Sequence, residues 1–518
     1  MANERLEVAD VVDVLIVGAG LSGIGAAYHL QARCPHKTYA IIEGRADLGG
    51  TWDLFRYPGI RSDSDMYTLG YSFKPWTNAK AIADGPSILR YVRETAREYG
   101  IDKHIRFEQR VTRASWSSAD ASWTVEIERG PTREPTRMRC NFLFMCSGYY
   151  DYDKGYTPDF PGIERFAGRV VHPQKWTPDI DYAGKRVVVI GSGATAVTLV
   201  PELAKTAAHV TMLQRSPTYV VSRPAEDSLA NKLREHLPSM AAYGATRWKN
   251  VLLGMAFYGL SRQQPERMKS MFLRGVRARL GPDYDIDKHF TPSYKPWDQR
   301  VCLVPDGDLF TAIRKKGASV VTDHIESFTE TGIKLRSGQE LEADIIVTAT
   351  GLNLQVLGGV ELSVDGQHIA ANTRMTYKGM MYSDVPNMAL AVGYTNASWT
   401  LKVDLTSEYV CRLLQHMDDT GTRQCTPRRD PSVSEEPWLD FTSGYVQRSI
   451  DKFPRQGSRA PWKLYQNYAR DLLSLRYGPV EDGVMEFGNR APNSGRAATQ
   501  LVSKVRDVLR ILRGRRAA

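Results

Sequence analysis

Two glycine-rich loops constrain the fold of this chain more than any other feature of its sequence. Each loop follows a short apolar run, VVDVLIV in the first case and KRVVVI in the second. Their small residues are Gly18, Gly20 and Gly23 in the first loop and Gly191, Gly193 and Ala196 in the second. This spacing lets a strand turn sharply into a helix, whose free N–H groups then face a pyrophosphate. We therefore expect an α/β fold with two Rossmann-like dinucleotide-binding domains.

The strand that follows the first loop predicts which nucleotide binds there. It reads TYAIIEGR and ends in Glu43, where an acid can accept hydrogen bonds from ribose hydroxyls. The same acid repels a 2′-phosphate, so the first nucleotide is expected to be FAD or NAD rather than NADP. Ser22 lies among the backbone donors of this loop.

The corresponding strand after the second loop ends differently. HVTMLQRSP places Gln214 and Arg215 where the first unit has its acid, and a guanidinium there suits a 2′-phosphate. Alternatively, Arg215 is only a solvated residue at the end of the strand. A chain with one site for an unphosphorylated ribose and another for NADP is typical of an NADPH-oxidising flavoenzyme. The predicted cofactors are therefore FAD and NADPH.

Later segments of the chain complete this organisation. Two apolar segments that end in small residues, NFLFMCSG at 141–148 and ADIIVTATG at 343–351, are expected to return to the two sheets. Residues 226–295 are rich in Met, Arg and Leu with helical spacing, which predicts a helical insertion. The predicted divisions are an FAD-binding domain at 1–150 and 380–490, an NADP-binding domain at 160–225 and 296–352, the insertion at 226–295 and a basic amphipathic segment at 491–518.

Composition narrows the class of protein and its compartment. With 518 residues the chain is too long for a single core, and its longest apolar run, Val251 to Leu260, is about half of a membrane-spanning helix. The charged N-terminus does not resemble a signal peptide, so a cytoplasmic location is expected.

Six Cys without CxxC or His-rich spacing predict reduced thiols and no metal site. A phosphate-rich cofactor explains part of the net charge of +10, so no nucleic acid is required.

The segment after the first glycine loop and its helix excludes one class of flavoenzyme. Flavin disulfide reductases carry a redox-active Cys pair there, whereas GGTWDLFRYPGIRSD at 49–63 contains no Cys. A reduced flavin in this chain would instead pass its electrons to a quinone, to a protein or to oxygen.

A motif between the two halves resembles the fingerprint of Baeyer-Villiger monooxygenases. FAGRVVHPQKW has F-x-G-x-x-x-H-x-x-x-W spacing through Phe166, Gly168, His172 and Trp176. The family usually continues with Pro or Asp, whereas this chain has Thr177. His172 is interpreted as a hinge or packing residue, because it lies in the segment that joins the nucleotide domains.

A second motif and several longer stretches strengthen this resemblance. The second signature of the family, G-G-x-W-x-x-x-x-Y-P-G-x-x-x-D, is matched by Gly49, Gly50, Trp52, Tyr57, Pro58, Gly59 and Asp63. RSDSDMYTLGYSFKPW, YKPWDQRVCLVPDGDLF and YTNASWTLK are similar to the ethionamide-activating, sulfur-oxidising branch of the family.

The resemblance implies an activity. In this family NADPH reduces FAD, O2 forms a C4a-peroxide on the flavin, and one oxygen atom is inserted into a ketone to give an ester or a lactone. The sulfur-oxidising branch also S-oxygenates sulfides and thioamides. The expected partners are therefore O2 and a small ketone or sulfur-containing substrate.

The resemblance also implies catalytic residues. Negative charge develops near the flavin, so a fixed cation in a water-poor pocket is required. Arg300, in PWDQRVCL, matches the active-site arginine of the family, and Asp63 matches the carboxylate that pairs with it. The alternatives are a salt bridge at a domain junction for Arg300 and a turn-forming residue for Asp63. Gln299 stands where family members often carry a Lys that assists phosphate binding, which leaves more of that recognition to Arg215.

The complete set of predicted cofactor-binding residues covers both loops and the segment around the second signature. For FAD it comprises Gly18, Gly20, Ser22, Gly23, Glu43, Gly50, Thr51, Trp52, Asp53, Leu54, Arg61, Ser62, Asp63 and Val111. For NADPH it comprises Gly191, Ser192, Gly193, Ala194, Thr195, Ala196, Gln214 and Arg215. Trp52 and Trp399 are candidates for lining the flavin and substrate pocket.

Two questions remain open from the sequence, one about the reaction and one about the C-terminal segment. An N-hydroxylating flavin monooxygenase acting on amines, or a non-oxygenating NADPH reductase, would share the cofactors and the two loops. The segment LVSKVRDVLRILRGRR near the C-terminus is basic and amphipathic, which predicts peripheral contact with an anionic membrane surface. A helix docked on its own protein is the alternative for that segment.

Overall fold

The computed structural model describes residues 8–439 and 441–489. Their strands and helices form two α/β units, each built on one of the two glycine loops. The predicted α/β fold with two Rossmann-like units is confirmed. The segment 491–518 lies outside the described residues, so membrane contact through it stays a prediction.

The strands follow the chain in this order: β1 Val8–Val17, β2 Tyr39–Ile42, β3 Ile105–Arg106, β4 Gln109–Ser117, β5 Ser122–Arg129, β6 Glu134–Met145, β7 Tyr150–Gly155, β8 Arg169–Val171, β9 Arg186–Ile190, β10 His209–Gln214, β11 Val220–Arg223, β12 Cys302–Pro305, β13 Ala318–Thr322, β14 Ile325–Phe328, β15 Gly332–Leu335, β16 Glu340–Glu342, β17 Ile345–Thr348, β18 Leu352–Leu354, β19 Glu361–Val364, β20 Gln367–Ile369, β21 Thr376–Tyr377, β22 Met381–Tyr382, β23 Met388–Leu390, β24 Gln424–Pro427, β25 Glu435–Pro437, β26 Arg455–Gly457 and β27 Met485–Gly488.

The α-helices are α1 Leu21–Arg33, α2 Thr51–Leu54, α3 Met66–Leu69, α4 Gly85–Glu98, α5 Ala194–Leu203, α6 Ser228–His236, α7 Ser239–Gln263, α8 Pro265–Leu280, α9 Ile286–His289, α10 Asp308–Arg314, α11 Trp399–Thr420, α12 Gly444–Gln447 and α13 Tyr468–Asp471. Short 3₁₀ turns lie at Ile101–His104, Ile163–Arg165, Pro173–Lys175, Val356–Gly359, Ala371–Thr373 and Ile450–Lys452, and a π-helical turn lies at Leu472–Tyr477.

The first sheet is built around β1, whose residues from Val14 to Val17 are apolar and buried. Strands β3, β2, β1 and β6 pair in parallel in that order, as expected for strands joined by helical crossovers. The predicted return of residues 141–148 is confirmed by the pairing of β6 with β1. β23 then pairs in parallel with β6, although nearly half of the chain separates the two strands. The antiparallel strands β4 and β5 extend the other part of β6.

The second sheet has the order β13-β10-β9-β17-β8 and is parallel throughout. Its strands are rich in Val and Ile, which suits a sheet buried on both faces. The predicted return of residues 343–351 is confirmed, because β17 pairs directly with β9. β9 thus occupies in this unit the position that β1 occupies in the first.

Helix α11 packs across α1 and is buried along most of its length. Its Asp404 accepts hydrogen bonds from the Ser72 backbone, at 3.1 Å, and faces His29 at 3.4 Å and Arg247 at 3.5 Å. Arg247 belongs to α7 and also donates to the carbonyls of Tyr67 and Gly70. This buried network ties the helices of residues 226–295 to the first unit.

The structure also shows the state of the cysteines and whether any described helix could span a membrane. All six Cys are buried and none forms a disulfide. Across residues 8–439 and 441–489, none of the helices has the length and apolar character needed to cross a membrane.

Candidate active site

One cavity of about 1290 Å³ runs past the ends of β1 and β9 and is lined by both glycine loops. It lies where ligands bind in open α/β sheets, outside the carboxyl ends of the strands. The predicted residues that line it are Gly18, Gly20, Ser22, Glu43, Gly50, Thr51, Trp52, Ser62, Asp63, Val111, Gly191, Ser192, Gly193, Ala194, Thr195, Arg215 and Arg300. Trp399 lines it as well. The fold therefore brings both predicted cofactor loops and both predicted catalytic residues to one cavity.

The first loop leaves bare backbone facing the cavity. Gly18 has φ +104°, and a Cβ there would lie 2.7 Å from the Cys146 carbonyl oxygen. A Cβ on Gly20 would lie 3.5 Å from the Cα of Gly50, so two glycines from separate segments face each other. Helix α1 begins one residue later, at Leu21, with no side-chain cap on its first N–H groups. This is a cradle in which a pyrophosphate can meet backbone donors directly.

Glu43 is held at the end of β2 by backbone donors. Its Oε2 accepts from the Ala19 N–H at 2.7 Å, and its Oε1 accepts from the Arg45 N–H at 3.0 Å. Burial raises the pKa of Glu43, while these two N–H groups act to lower it. Each carboxylate oxygen keeps a free lone pair, so the group can accept from ribose hydroxyls in the cavity that it lines.

Trp399 begins α11 and closes over the first loop. Its indole Nε1–H donates to the Ser22 Oγ at 2.8 Å. Its ring stacks on Tyr149, with the centroids 5.3 Å apart. The hydroxyl proton of Ser22 is thereby left available for a ligand, and the two stacked rings form an aromatic wall of the cavity.

The second loop repeats the geometry of the first. Gly191 has φ +137°, and a Cβ there would lie 2.4 Å from the Ala349 carbonyl oxygen. Helix α5 begins at Ala194 without a side-chain cap. Arg215 is exposed at the end of β10, lines the cavity and makes no ion pair with any described residue. A free guanidinium beside a helix N-terminus suits an added phosphate.

Arg300 and Asp63 meet between the two loops. The Arg300 Nη1 lies 3.6 Å from the Asp63 Oδ2, with the two side chains 33% and 52% exposed. Tyr445 raises the pKa of Arg300 most, burial opposes this, and Asp63 adds to the increase, so that the pKa stands well above its ordinary value. Arg300 is therefore a permanent cation inside the cavity.

Six predicted cofactor residues do not line the cavity, namely Gly23, Asp53, Leu54, Arg61, Ala196 and Gln214. Gln214 is the clearest case, because its buried amide donates to the His289 carbonyl and to the Thr322 Oγ1, each at 2.8 Å. The amide thus joins the end of β10 to the end of α9 and to the neighbouring strand β13.

The other five residues make structural contacts outside the cavity lining. Asp53 forms ion pairs with Arg45 and Arg56, and Arg61 pairs with Asp308 of α10. Leu54 packs in a small apolar cluster. Gly23 and Ala196 occupy the first turns of α1 and α5, where each helix meets its own sheet.

Several lining residues were not predicted from the sequence. Tyr149 and Tyr150 directly follow the returning segment 141–148, and burial raises the pKa of both hydroxyls, which keeps them neutral. Their position after a parallel strand was a usable signal. Tyr445 belongs to the distant helix α12 and Arg448 directly follows it, and the Arg448 guanidinium lies 3.4 Å from the centre of the Tyr156 ring. No local pattern marked them.

His172 packs between segments rather than facing the cavity. Its Nε2 lies 3.1 Å from the Gly351 carbonyl oxygen, and its Nδ1 accepts from the Gln174 N–H at 3.2 Å. A Cβ on Gly155 would lie 1.9 Å from the ring. A ring whose Nε2 donates a hydrogen bond while its Nδ1 accepts one is neutral. This neutral, packed ring fits the packing role expected from the sequence.

The stability of the protein is expected to depend on pH through His172. Burial lowers the pKa of His172 in the folded protein, so the unfolded chain binds a proton first as the pH falls below about 6.5. The stabilisation by His172 is thus complete above about pH 6.5 and is lost as the pH falls toward the folded pKa. The loss of melting temperature caused by His172→Gln should be smaller at pH 5.5 than at pH 7.5, because the variant is neutral at both. An equal loss at both pH values would contradict this.

Comparisons with known proteins agree with this geometry. The sequence models of two families match, the "NAD(P)-binding Rossmann-like domain" over residues 16–84 and "Flavin-binding monooxygenase-like" over residues 77–237. The "FAD-containing monooxygenase EthA" of Mycobacterium tuberculosis is 59% identical over 92% of this chain and 98% of its own length. Among solved structures, cyclohexanone monooxygenase bound to ε-caprolactone has a TM-score of 0.72 at 20% identity, over 93% of this chain and 100% of its own. Steroid monooxygenase bound to NADP has a TM-score of 0.68 at 24% identity, over 81% and 88%.

Proposed function

The chain belongs to the flavin-binding monooxygenase-like family, and from this premise we propose that it is an FAD-containing, NADPH-dependent monooxygenase. It transfers one oxygen atom of O2 to a ketone, giving an ester or a lactone, or to the sulfur of a sulfide or thioamide. The observation that carries the proposal is the placement of Arg300, with Asp63, between two nucleotide loops that line the same cavity.

The residues of the two loops fit the two cofactors. The uncapped start of α1, the facing glycines Gly20 and Gly50 and the acid Glu43 suit FAD, which carries a pyrophosphate and an unphosphorylated ribose. The uncapped start of α5 and Arg215, which has no ion-pair partner in the part of the chain that the structure describes, suit NADPH. FAD bound here would supply hydride acceptance from NADPH and the reduction of O2.

Arg300 has the properties needed to stabilise negative charge on a reacting oxygen. A guanidinium keeps its proton when it is partly desolvated, and it cannot act as an acid in competition with the reaction. Asp63 holds this cation by a weak, half-exposed ion pair, which leaves the remaining N–H donors of Arg300 for the reactants. We assign Arg300 as catalytic and Asp63 as its positioning residue.

The aromatic side of the cavity favours apolar substrates. Trp399, Tyr149 and Tyr150 line it together, and the two tyrosines are half-buried. An apolar substrate bound against this wall would exclude water beside Arg300 and strengthen the electrostatic effect of the guanidinium. Linear or aryl ketones, sulfides and thioamides can pack against these aromatic rings.

Turnover with ¹⁸O2 tests the proposal. The holoenzyme, NADPH and a panel of a linear ketone, an aryl methyl ketone, a sulfide and a thioamide should give product with one ¹⁸O atom for each NADPH consumed. NADPH oxidation that releases only hydrogen peroxide with every substrate would favour a reductase instead. Oxygenation of amines alone would favour an N-hydroxylating enzyme.

NADPH selectivity is expected to depend on Arg215. A charge-assisted phosphate contact contributes about 1.5–3 kcal/mol, so Arg215→Ala should raise the Kd for NADP⁺ by about 10- to 100-fold. The Kd for NAD⁺ should stay within about twofold, because the ribose without a phosphate gains little from the guanidinium. Equilibrium titration of both nucleotides, with Arg215→Lys as the conservative control, measures this. An equal weakening of both would contradict the phosphate role.

We also propose that the first nucleotide-binding domain is discontinuous, with residues 1–150 and 380–490, and that residues 160–225 with 296–352 form the second. The pairing of β23 with β6 and the packing of α11 on α1 support this division. Limited proteolysis should cut first within residues 226–295 and leave the two nucleotide-binding units associated.

A further inference from the structure

Helix α7 has one face buried against the protein and another face, rich in large apolar side chains, that is open to solvent. Its inner face is buried through Tyr243, Thr246, Arg247 and Val251. Val251 packs with Tyr394 of the cavity wall and with Leu401. The apolar residues of a surface helix normally face the protein interior, so the exposed apolar face of α7 needs an explanation.

The outer face is a continuous apolar stripe. Trp248 is 46% exposed, Leu252 60% and Leu253 55%, and Met240 and Leu260 continue the stripe in both directions. The exposed small residues Ala241, Ala245 and Ala256 fill the positions between them. Large apolar residues that cluster on a surface mark an interaction site, unlike single ones.

The charged residues around this stripe are mostly basic. Helix α8 packs on α7 through Phe272 and Phe257, whose ring centroids are 5.7 Å apart. Along α8, Arg267, Met271 and Arg274 are exposed at i, i+4 and i+7. The segment 228–280 contains ten Lys and Arg, which are Lys232, Arg234, Arg247, Lys249, Arg262, Arg267, Lys269, Arg274, Arg277 and Arg279, and two acids, which are Glu235 and Glu266.

Acids from other elements neutralise part of this charge. Lys249 pairs with Asp227, Arg262 with Asp298, and Arg277 lies 4.0 Å from Asp287. Arg267 and Arg274, which are exposed on the helix that packs beside α7, make no ion pair with any described residue.

We propose that the outer face of α7, together with the basic face of α8, binds the surface of an anionic lipid bilayer. An apolar stripe with a basic border on a helix that lies flat is the pattern of peripheral membrane binding. Anionic headgroups complement Arg267 and Arg274, whereas a second copy docked on the same face would bring like charges together.

This contact would place the cavity one helix away from the lipid. The inner face of α7 touches Tyr394, which lines the cavity, and its outer face would rest among headgroups and acyl chains. An apolar compound dissolved in the bilayer would then have a short path to the cavity wall.

Vesicle flotation of the full-length holoenzyme tests the proposal without reading turnover, so it is independent of the proposed function. Wild type should bind vesicles of phosphatidylcholine with phosphatidylglycerol and bind phosphatidylcholine vesicles far less. The double variant Leu252→Glu with Leu253→Glu should lower the partition coefficient by about tenfold or more. Val11→Glu, at a position 64% exposed on β1, is the matched control and should bind like wild type.

Two further measurements separate the alternatives. Hydrogen exchange should slow in peptides from residues 239–263 when anionic vesicles are added, and Arg267→Glu with Arg274→Glu should remove the preference for anionic lipid. Unchanged binding of the Leu252→Glu with Leu253→Glu protein would overturn the proposal and assign membrane binding to another segment. Sedimentation of a dimer that this double variant dissociates, without lipid binding, would overturn it in favour of a second copy.

Discussion

Arg300→Ala is expected to lower the rate of oxygenated product formation by about 100-fold or more while NADPH oxidation continues. The removal of one preorganised donor to a developing oxyanion has an effect of about this size. The cofactor loops do not contain Arg300, so hydride transfer should persist and its electrons should leave as hydrogen peroxide. The measurement is the ratio of product to NADPH consumed, with peroxide determined in parallel.

Two control variants define the role of Arg300. Arg300→Lys should recover part of the product yield, because it keeps a cation but loses the planar group of N–H donors. Arg165→Ala, at a side chain that is 70% exposed, should leave the ratio unchanged. If Arg300→Ala kept the wild-type product yield, Arg300 would be a structural ion-pair residue and the proposed function would lose its main support.

Gly23→Ala is expected to produce a destabilised protein without bound FAD. A Cβ at Gly23 would lie 1.9 Å from the Gly18 carbonyl oxygen, a distance that only a movement of the loop backbone can relieve. Overpacking of this kind costs about 1–3 kcal/mol or more, and it would displace the donors that face the pyrophosphate. Flavin absorbance per mole of purified protein and the melting temperature measure the two effects.

The second loop supplies the matched control. Ala196 occupies in α5 the place that Gly23 occupies in α1, so Ala196→Gly introduces no clash and costs at most about 1 kcal/mol of helix propensity. It should keep full flavin content. A Gly23→Ala protein with normal flavin content would mean that the first loop can move without losing its ligand.

The two loops were predictable because their constraints are local. Gly18 and Gly191 are required by positive φ angles and by close carbonyl oxygens, and the sequence shows such requirements as glycine spacing. The return of residues 141–148 and 343–351 to the two sheets followed from their apolar runs, because such strands are joined by helical crossovers. Glu43 was found because it ends the strand beside the loop.

The failures concern contacts between distant segments. Gln214 ends the correct strand, yet its amide is used by His289 and Thr322, which the fold brings there. Tyr445 and Arg448 reach the cavity from a four-residue helix and from the residue after it, which no periodic pattern marks. A pattern can indicate that a strand end faces a ligand, but the direction of one side chain depends on what packs around it.

The late arrival of β23 and α11 has a consequence for synthesis on the ribosome. The parallel core of the first sheet is complete up to β6 by residue 145, whereas β23 and the helix that covers α1 emerge after residue 387. At roughly 5–20 residues per second, those roughly 240 residues take about 12 to 50 seconds to translate. During this interval the nascent chain exposes the unpaired edge of β6 and the uncovered face of α1. We expect the N-terminal half to depend on chaperones until the last third of the chain has been made.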